Sequence, residues 1–280
     1  SHARNLAIKY SNGEIICCID ADNFTGANYV QFVKNKFNNH VDLFLTVDHT
    51  NSPSDLFGRM CFRKKNHKDI NGFDEKLKGH GFEDFDFINR LKKKGLVNEY
   101  IKKKEYLKFI EHSTLQRVIT SKFYKSIDKI FLCHVNTYES KLLFLFKNST
   151  YDLVTIRHNR SLHSNSIENL DLNFRNNNFH NNLYTDFWKN GFWAIKDTKL
   201  FLSTIEGEHK WGQAYLKIEN DKFNYCFYTV NQHSDIEGLI ILYSQLKNRK
   251  IMMENDKLPF SKINPKGFGM GKVLKNYGTV

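Results

Sequence analysis

The chain is poor in proline, in paired cysteines and in long apolar runs. Its five cysteines are an odd number, and no two stand in a C-x-x-C spacing. Its absence argues against zinc, and the pattern suits a reducing compartment, so a cytoplasmic location is expected. No stretch of about 18 apolar residues occurs, which excludes a helix that crosses a membrane. Acidic residues are outnumbered, 30 against 42 Lys and Arg, giving a net charge of +12. Such a surface can meet nucleic acid, anionic lipid or a phosphorylated small molecule. No RNP, zinc-finger or helix-turn-helix signature accompanies the charge, so no nucleic-acid partner is expected. Lys92 to Lys94 and Lys102 to Lys104 read as solvated helix ends, with peripheral contact to the inner face of a membrane as the other use. Against three prolines stand 24 phenylalanines, and 40% of the 280 residues are hydrophobic. That is enough for two domains with a sizeable core. The Lys, Asn, Ile and Phe bias points to an AT-rich bacterial genome.

Two acidic motifs carry the chemistry. The apolar run Ile15 to Ile19 reads as a buried strand. Asp20-Ala21-Asp22 follows it directly, at the strand end where an open α/β sheet binds ligands. Hard carboxylate oxygens there suit Mg²⁺ or Mn²⁺ carrying a diphosphate; alone, the pair would be read as an acidic turn. The second motif runs Asn71-Gly72-Phe73-Asp74-Glu75, then Gly79-His80-Gly81-Phe82-Glu83-Asp84-Phe85-Asp86. Phe87, Ile88 and Leu91 recur at helical spacing, so the acids open a helix, whose amino terminus stabilises carboxylates. An ionised, positioned carboxylate is what a general base needs.

The ordered pair of motifs resembles the metal-dependent GT-A glycosyltransferases. It is most similar to the β-1,4-galactosyltransferase group and to bacterial family-2 relatives with a galactosyltransferase-type C-terminal motif. The resemblance covers about residues 1 to 120. It implies transfer of a sugar from a nucleotide-diphosphate donor, a UDP-sugar, to a hydroxyl of a saccharide or glycolipid acceptor, with inversion. The implied setting is bacterial surface polysaccharide synthesis. It implies Mn²⁺ (or Mg²⁺) on Asp20, Asp22 and His112, and Asp84 as catalytic base. Arg4 and Asn5, from the opening Ala3-Arg4-Asn5-Leu6-Ala7, would meet the donor together with Asp20, Gly58 and Arg59. Gly81, Phe82 and Glu83 would shape the acceptor site. Departures from the family pattern are His80 for a tryptophan, Phe82 for a common glycine, Phe85 for an acid and Phe109 for a methionine. They leave a second reading open, a catalytically inactive or carbohydrate-binding relative.

The expected fold is α/β: a partial Rossmann-like nucleotide-sugar domain over residues 1 to 128, then a mainly antiparallel β domain over 129 to 280. Only about 19 residues precede Asp20, where the family has roughly 70 to 90, so the first part of the fold is expected to be missing. Helices are expected at 3–10, 27–38 (capped by Thr25), 83–94 and 115–127, and strands at 14–20, 41–47 and 57–63. Beyond 130 the spacing predicts a hairpin over 141–156, an Asn-rich loop and a meander. Trp188, Trp193 and Trp211 are candidates for sugar stacking or for core. The glycine-rich tail Ile263 to Gly271 reads as a structural turn.

Overall fold

The computed structural model describes residues 1–111, 122–136, 139–158, 184–196, 199–204, 215–217, 222–223, 227–231, 233–271, 274–275 and 278–279. His112, Trp211, Cys226, the Asn-rich stretch and most of the helix expected at 115–127 lie outside them.

The chain forms two compact units. One comprises Ser1–His112 with Ser244–Val280, the other Ser113–Tyr243. A single cut between 128 and 129, as the sequence suggests, therefore misses a return of the chain to the first unit.

The first unit runs α1 (His2–Tyr10), β1 (Ile15–Cys18), β2 (Asn23–Phe24), α2 (Tyr29–Asn39), β3 (Leu43–Thr46), β4 (Met60–Arg63), α3 (Lys64–Asp69), α4 (Glu83–Lys93), β5 (Val97–Tyr100) and β6 (Lys108–Phe109). Its main sheet has the order β1-β4-β3-β5. β4 pairs antiparallel with both β1 and β3, while β3 and β5 are parallel. All four residues of β3 are buried, because apolar clusters cover both faces of the sheet. On one face lie Phe44, Met60, Phe62, Phe73 and Phe87, with the Phe73 and Phe87 rings stacked at 4.0 Å. On the other lie Tyr29, Val33, Phe37, Leu43, Leu45 and Cys61. Tyr29, Val33 and Phe37 are the one buried stripe of α2, as their four-residue spacing predicts. That helix begins after Asn28, which takes a left-handed φ of 62°; Thr25 does not cap it. Cys17 is exposed and Cys18 half-buried rather than core, since β1 is an edge strand with a single neighbour among the described strands. The four described cysteines are free thiols.

Asn5 ties α1 to the Asn71–Glu75 turn. It is wholly buried, and its amide donates to the carbonyl of Phe73 at 2.8 Å and to Glu75 Oε1 at 2.9 Å. Its Oδ1 accepts from the Phe73 amide at 2.8 Å and pairs with His67 Nε2 at 2.9 Å. Burial, aided by the charges of Arg90, Lys64 and Lys68, pushes His67 down from 6.5 to about 4. The native state therefore resists protonating a ring that the unfolded chain protonates readily. Stability is unaffected by this group above pH 6.5 and falls as pH drops from there towards 4, by up to about 3 kcal/mol. Urea titrations of wild type and His67→Gln should converge near neutrality and separate in acid, with wild type losing more. Parallel pH dependences in the two proteins would refute this.

The C-terminal segment closes the first unit through three asparagines. Asn248 donates to the carbonyls of Lys78 and Gly81 at 3.0 and 2.8 Å. Asn255 donates to Asp74 and Asp86, both at 2.8 Å. Asn264 donates to the carbonyls of Asn71 and Phe73, both at 2.8 Å, and accepts from the Glu75 amide at 3.0 Å. Asn71 replies by donating to the carbonyls of Phe260 and Ile263. The bonds of Asn71, Asn248 and Asn264 spare backbone groups the cost of going unpaired, and those of Asn255 serve two buried carboxylates. The tail is a structural turn as expected, with φ positive at Asn264, Gly267 and Gly269.

The second unit holds an eight-stranded antiparallel sheet between residues 127 and 229. Its hairpin pairs Glu139–Phe146 with Thr150–His158, the turn the sequence places at Lys147 to Thr150. Trp193 packs against the apolar cluster and its indole donates to the Phe146 carbonyl at 2.9 Å, a core role. Trp188 meets Tyr243 edge-on at 5.4 Å. A helix spans His233–Asn255 where the sequence suggests a short α/β element near 238–246. No helix among the described residues is long and apolar enough to cross a membrane.

Candidate active site

The site is assembled at the carboxyl end of β1, where the strand stops and the chain turns. The amide of Asn23 donates to the carbonyl of Asp20 at 3.0 Å, closing that turn. The turn sets Asp20 beside Gly58 and α4 through two further elements. One is Arg4, on α1. Its Nη1 donates to Asp84 Oδ1 in a short ion pair and its Nη2 to Asp20 Oδ1 at 3.2 Å. The two acidic motifs, 16 and 80 positions from Arg4 in sequence, are thereby joined on one guanidinium. Burial works against the Arg4 charge, but Asp84 leads the charges that outweigh it and push its ionisation up. The planar fork suits this two-carboxylate bridge in a way a lysine could not match.

The other element is Gly58. A Cβ there would lie 2.6 Å from both Arg4 Nη2 and Asp20 Oδ2. Glycine is needed at this position because the bridge passes against the backbone.

Asp84 is largely buried in the first turn of α4, whose first turn also holds Glu83 and Asp86. Asp86 serves the core: it pairs with Arg90, both 1% exposed, while Arg90 donates to the carbonyls of Ile70 and Gly72. Glu83 is different. Burial first, then the charge of Asp84, pushes its carboxyl up to about 7, and its Oε2 is buried without a hydrogen-bond partner. Phe82 precedes them with a φ of 70°. That left-handed value explains why glycine would be at home here. Gly79 and Gly81 are left-handed too, and a Cβ on either would press on Ser244 or Gln245.

Asp22 accepts from Asn23 Nδ2 at 2.7 Å, and its backbone carbonyl accepts from the Ile110 amide at 2.8 Å. β2 and β6 pair here, Asn23 opposite Phe109. Arg59, expected at the donor, is 1% exposed and donates to Asn23 Oδ1 and to the Lys108 carbonyl. Asn5, also expected there, is spent on the α1 staple.

Sequence reasoning missed His49. Its ring lies 4.5 Å from that of Phe57 and 4.8 Å from that of Phe85. Burial pushes its ionisation down while the charge of Asp84 pulls the other way, and Nε2 is buried without a partner. Phe85 stands where the family pattern has an acid; here it packs on His49, Phe57 and Phe82. The loop 48–54 had a visible turn signal, but nothing in it marks His49.

The fit to a divalent cation rests on donor chemistry. Asp20 and Asp22 offer hard carboxylate oxygens at one strand end, the right kind for Mn²⁺ or Mg²⁺. Among the described residues no three His, Cys, Asp or Glu side chains gather into a metal-holding group. His112, the third expected ligand, lies outside the described residues.

Half-buried, charge-rich and flanked by glycines, this site is of the kind that binds a polar substrate beside a positioned carboxylate. Residues 39–113 match the family model described as the N-terminal domain of galactosyltransferase. Over those residues the chain is similar to a galactosyltransferase domain, which supports a glycosyltransferase, a class that joins a nucleotide-sugar donor to an acceptor. The matched residues take in Gly58, Arg59, the Asn71–Phe73 turn and Gly81 to Asp84. Arg4, Asp20 and Asp22 precede them; the Arg4 bridge ties Asp20 to Asp84, and Asn23 links Asp22 to Arg59. No curated protein and no solved structure matches the chain.

Proposed function

We propose that the first unit performs metal-dependent, inverting sugar transfer from a UDP-sugar to a saccharide or glycolipid hydroxyl. The observation that carries this is the Arg4 guanidinium holding Asp20 and Asp84 at once. It sets a strand-end carboxylate for the donor beside a helix-start carboxylate for the acceptor, the arrangement a Rossmann-like GT-A site requires. Asp84 takes the proton of the acceptor hydroxyl. That oxygen attacks the anomeric carbon from the face opposite the diphosphate, whose C–O bond breaks as the nucleotide leaves with the electron pair. Asp20 and Asp22, with His112, would hold the cation. When bound, Mn²⁺ neutralises charge on the departing diphosphate. Arg4 orients both carboxylates and Gly58 leaves room for them. Gly81, Phe82 and Glu83 line the acceptor side. A role at the inner face of a bacterial membrane, in surface polysaccharide synthesis, fits the excess of positive charge. Lys93 and Lys94 are drawn inward to the Asp256 and Leu258 carbonyls and to Asp69. A screen of nucleotide sugars with Mn²⁺, scored by nucleotide release, tests the activity; no release from any donor rejects it.

Glu83 gives the reaction a pH signature. With its carboxyl near 7, it is neutral in mild acid and can donate a hydrogen bond to an acceptor hydroxyl. Above that point it is charged, cannot donate, and faces the charge of Asp84. The acceptor KM is expected to rise as pH climbs through roughly 6 to 8. Glu83→Gln fixes the neutral form, so its KM should be flat over the same interval. A wild-type KM without that rise removes Glu83 from the acceptor site.

A further inference from the structure

Two polar side chains beside the Asp20–Asp22 turn direct their hydrogen bonds at the turn itself. Arg59 is 1% exposed, and its Nε and Nη1 are buried without a partner. Burial pushes its ionisation down, with Tyr29, Cys61 and Asp20 pulling the other way. A buried cation with so few hydrogen bonds is poor for stability, which points to a positional use. Its Nη2 makes two bonds, to Asn23 Oδ1 at 2.8 Å and to the Lys108 carbonyl at 3.3 Å. The first fixes the Asn23 amide, because the oxygen has to face the guanidinium. The Nδ2 of Asn23 is then turned towards Asp22 Oδ1 at 2.7 Å and the Asp55 carbonyl at 3.2 Å. The second bond grips β6, which is paired with β2 and sends the Ile110 amide to the Asp22 carbonyl.

We propose that Arg59 and Asn23 form a brace that orients the Asp22 carboxylate, with β6 behind it, for a divalent cation. This rests on the metal-dependent reading of the site and deepens it: Arg59 serves the ligands from behind instead of contacting the donor. Both are positioning residues, because they act through Asp22 and through the β6 backbone at Lys108. Partners of this sort hold a ligand in its binding geometry, and removing one weakens metal affinity roughly 10–100-fold.

Mn²⁺ titration followed by the electron paramagnetic resonance of the free ion, with no nucleotide present, tests the brace. Asn23→Ala and Arg59→Met should each bind Mn²⁺ roughly 10–100-fold more weakly than wild type. Melting without metal separates orientation from folding. Arg59→Met should melt no lower than wild type, since it replaces a poorly partnered buried cation with an apolar chain of similar length. Mn²⁺ affinities of both variants within about twofold of a binding wild type overturn the brace and leave the metal reading standing. Weakened affinity that appears only in variants with a matching loss of folding also overturns it. A wild-type protein that binds no Mn²⁺ overturns the metal reading, and the brace with it.

Discussion

Asp84→Asn is expected to lower the rate of sugar transfer by about 10²–10⁴-fold, the usual contribution of a positioned general base. The amide keeps the size of the carboxylate, so α4 should form as before. The substituted side chain can still accept from Arg4 through its oxygen, in a weaker bond that keeps the guanidinium charge and loses that of the carboxylate. The Arg4 side chain, 24% exposed, can turn to water where it has lost its counter-ion. The loss should fall on kcat, with the donor still bound in a Mn²⁺-dependent way. This is the signature of an interaction made only in the transition state. Single-turnover assays with saturating donor and acceptor read it directly. Transfer within a few-fold of wild type would show that another group takes the proton, and His49 would be next to test. Its ring feels the charge of Asp84, and its Nε2 has no other partner.

Much of this geometry could be read from the sequence because it follows from period and order. The α2 stripe of Tyr29, Val33 and Phe37 needs only a helical repeat, and it is buried as expected. The hairpin at residues 147–150 needs only two β-rich runs with a polar turn between them. The apposition of Asp20 and Asp84 was expected from the resemblance, but the agent of it, Arg4, was assigned to the donor. Its fork is in fact engaged by the two carboxylates. Features with no periodic trace were not legible. Asn248, Asn255 and Asn264 look like ordinary helix and tail residues, yet their amides hold the 71–81 segment and set the boundary of the first unit. Asn5 and Arg59 could be placed near the site by pattern, but a pattern does not say whether a polar side chain faces the substrate or the backbone behind it. His49 was hidden for the opposite reason, since its partners Phe57 and Phe85 come from two other segments.

Asp22→Ala should abolish Mn²⁺-dependent nucleotide binding, an effect larger than that of any change behind the ligand. Losing an outer partner costs a metal site roughly 10–100-fold, and losing a ligand itself should cost at least the upper end of that range. The substitution leaves the local fold few reasons to change. The bond from the Ile110 amide is to the backbone carbonyl of residue 22, which alanine keeps. The amide of Asn23 retains Arg59 and the Asp55 carbonyl as partners. Calorimetry with a nucleoside diphosphate should therefore show Mn²⁺-dependent heat for wild type and none for Asp22→Ala, at unchanged melting temperature. Asp20→Asn provides the contrast. Asp20 also anchors Arg4, so that variant should weaken metal binding and also loosen the Arg4 bridge, with a fall in kcat towards that of Asp84→Asn. Equal Mn²⁺-dependent heats for wild type and Asp22→Ala would take Asp22 out of the cation site. Asp20 would then keep its place in the Arg4 bridge, and the cation reading of the turn would lose its support.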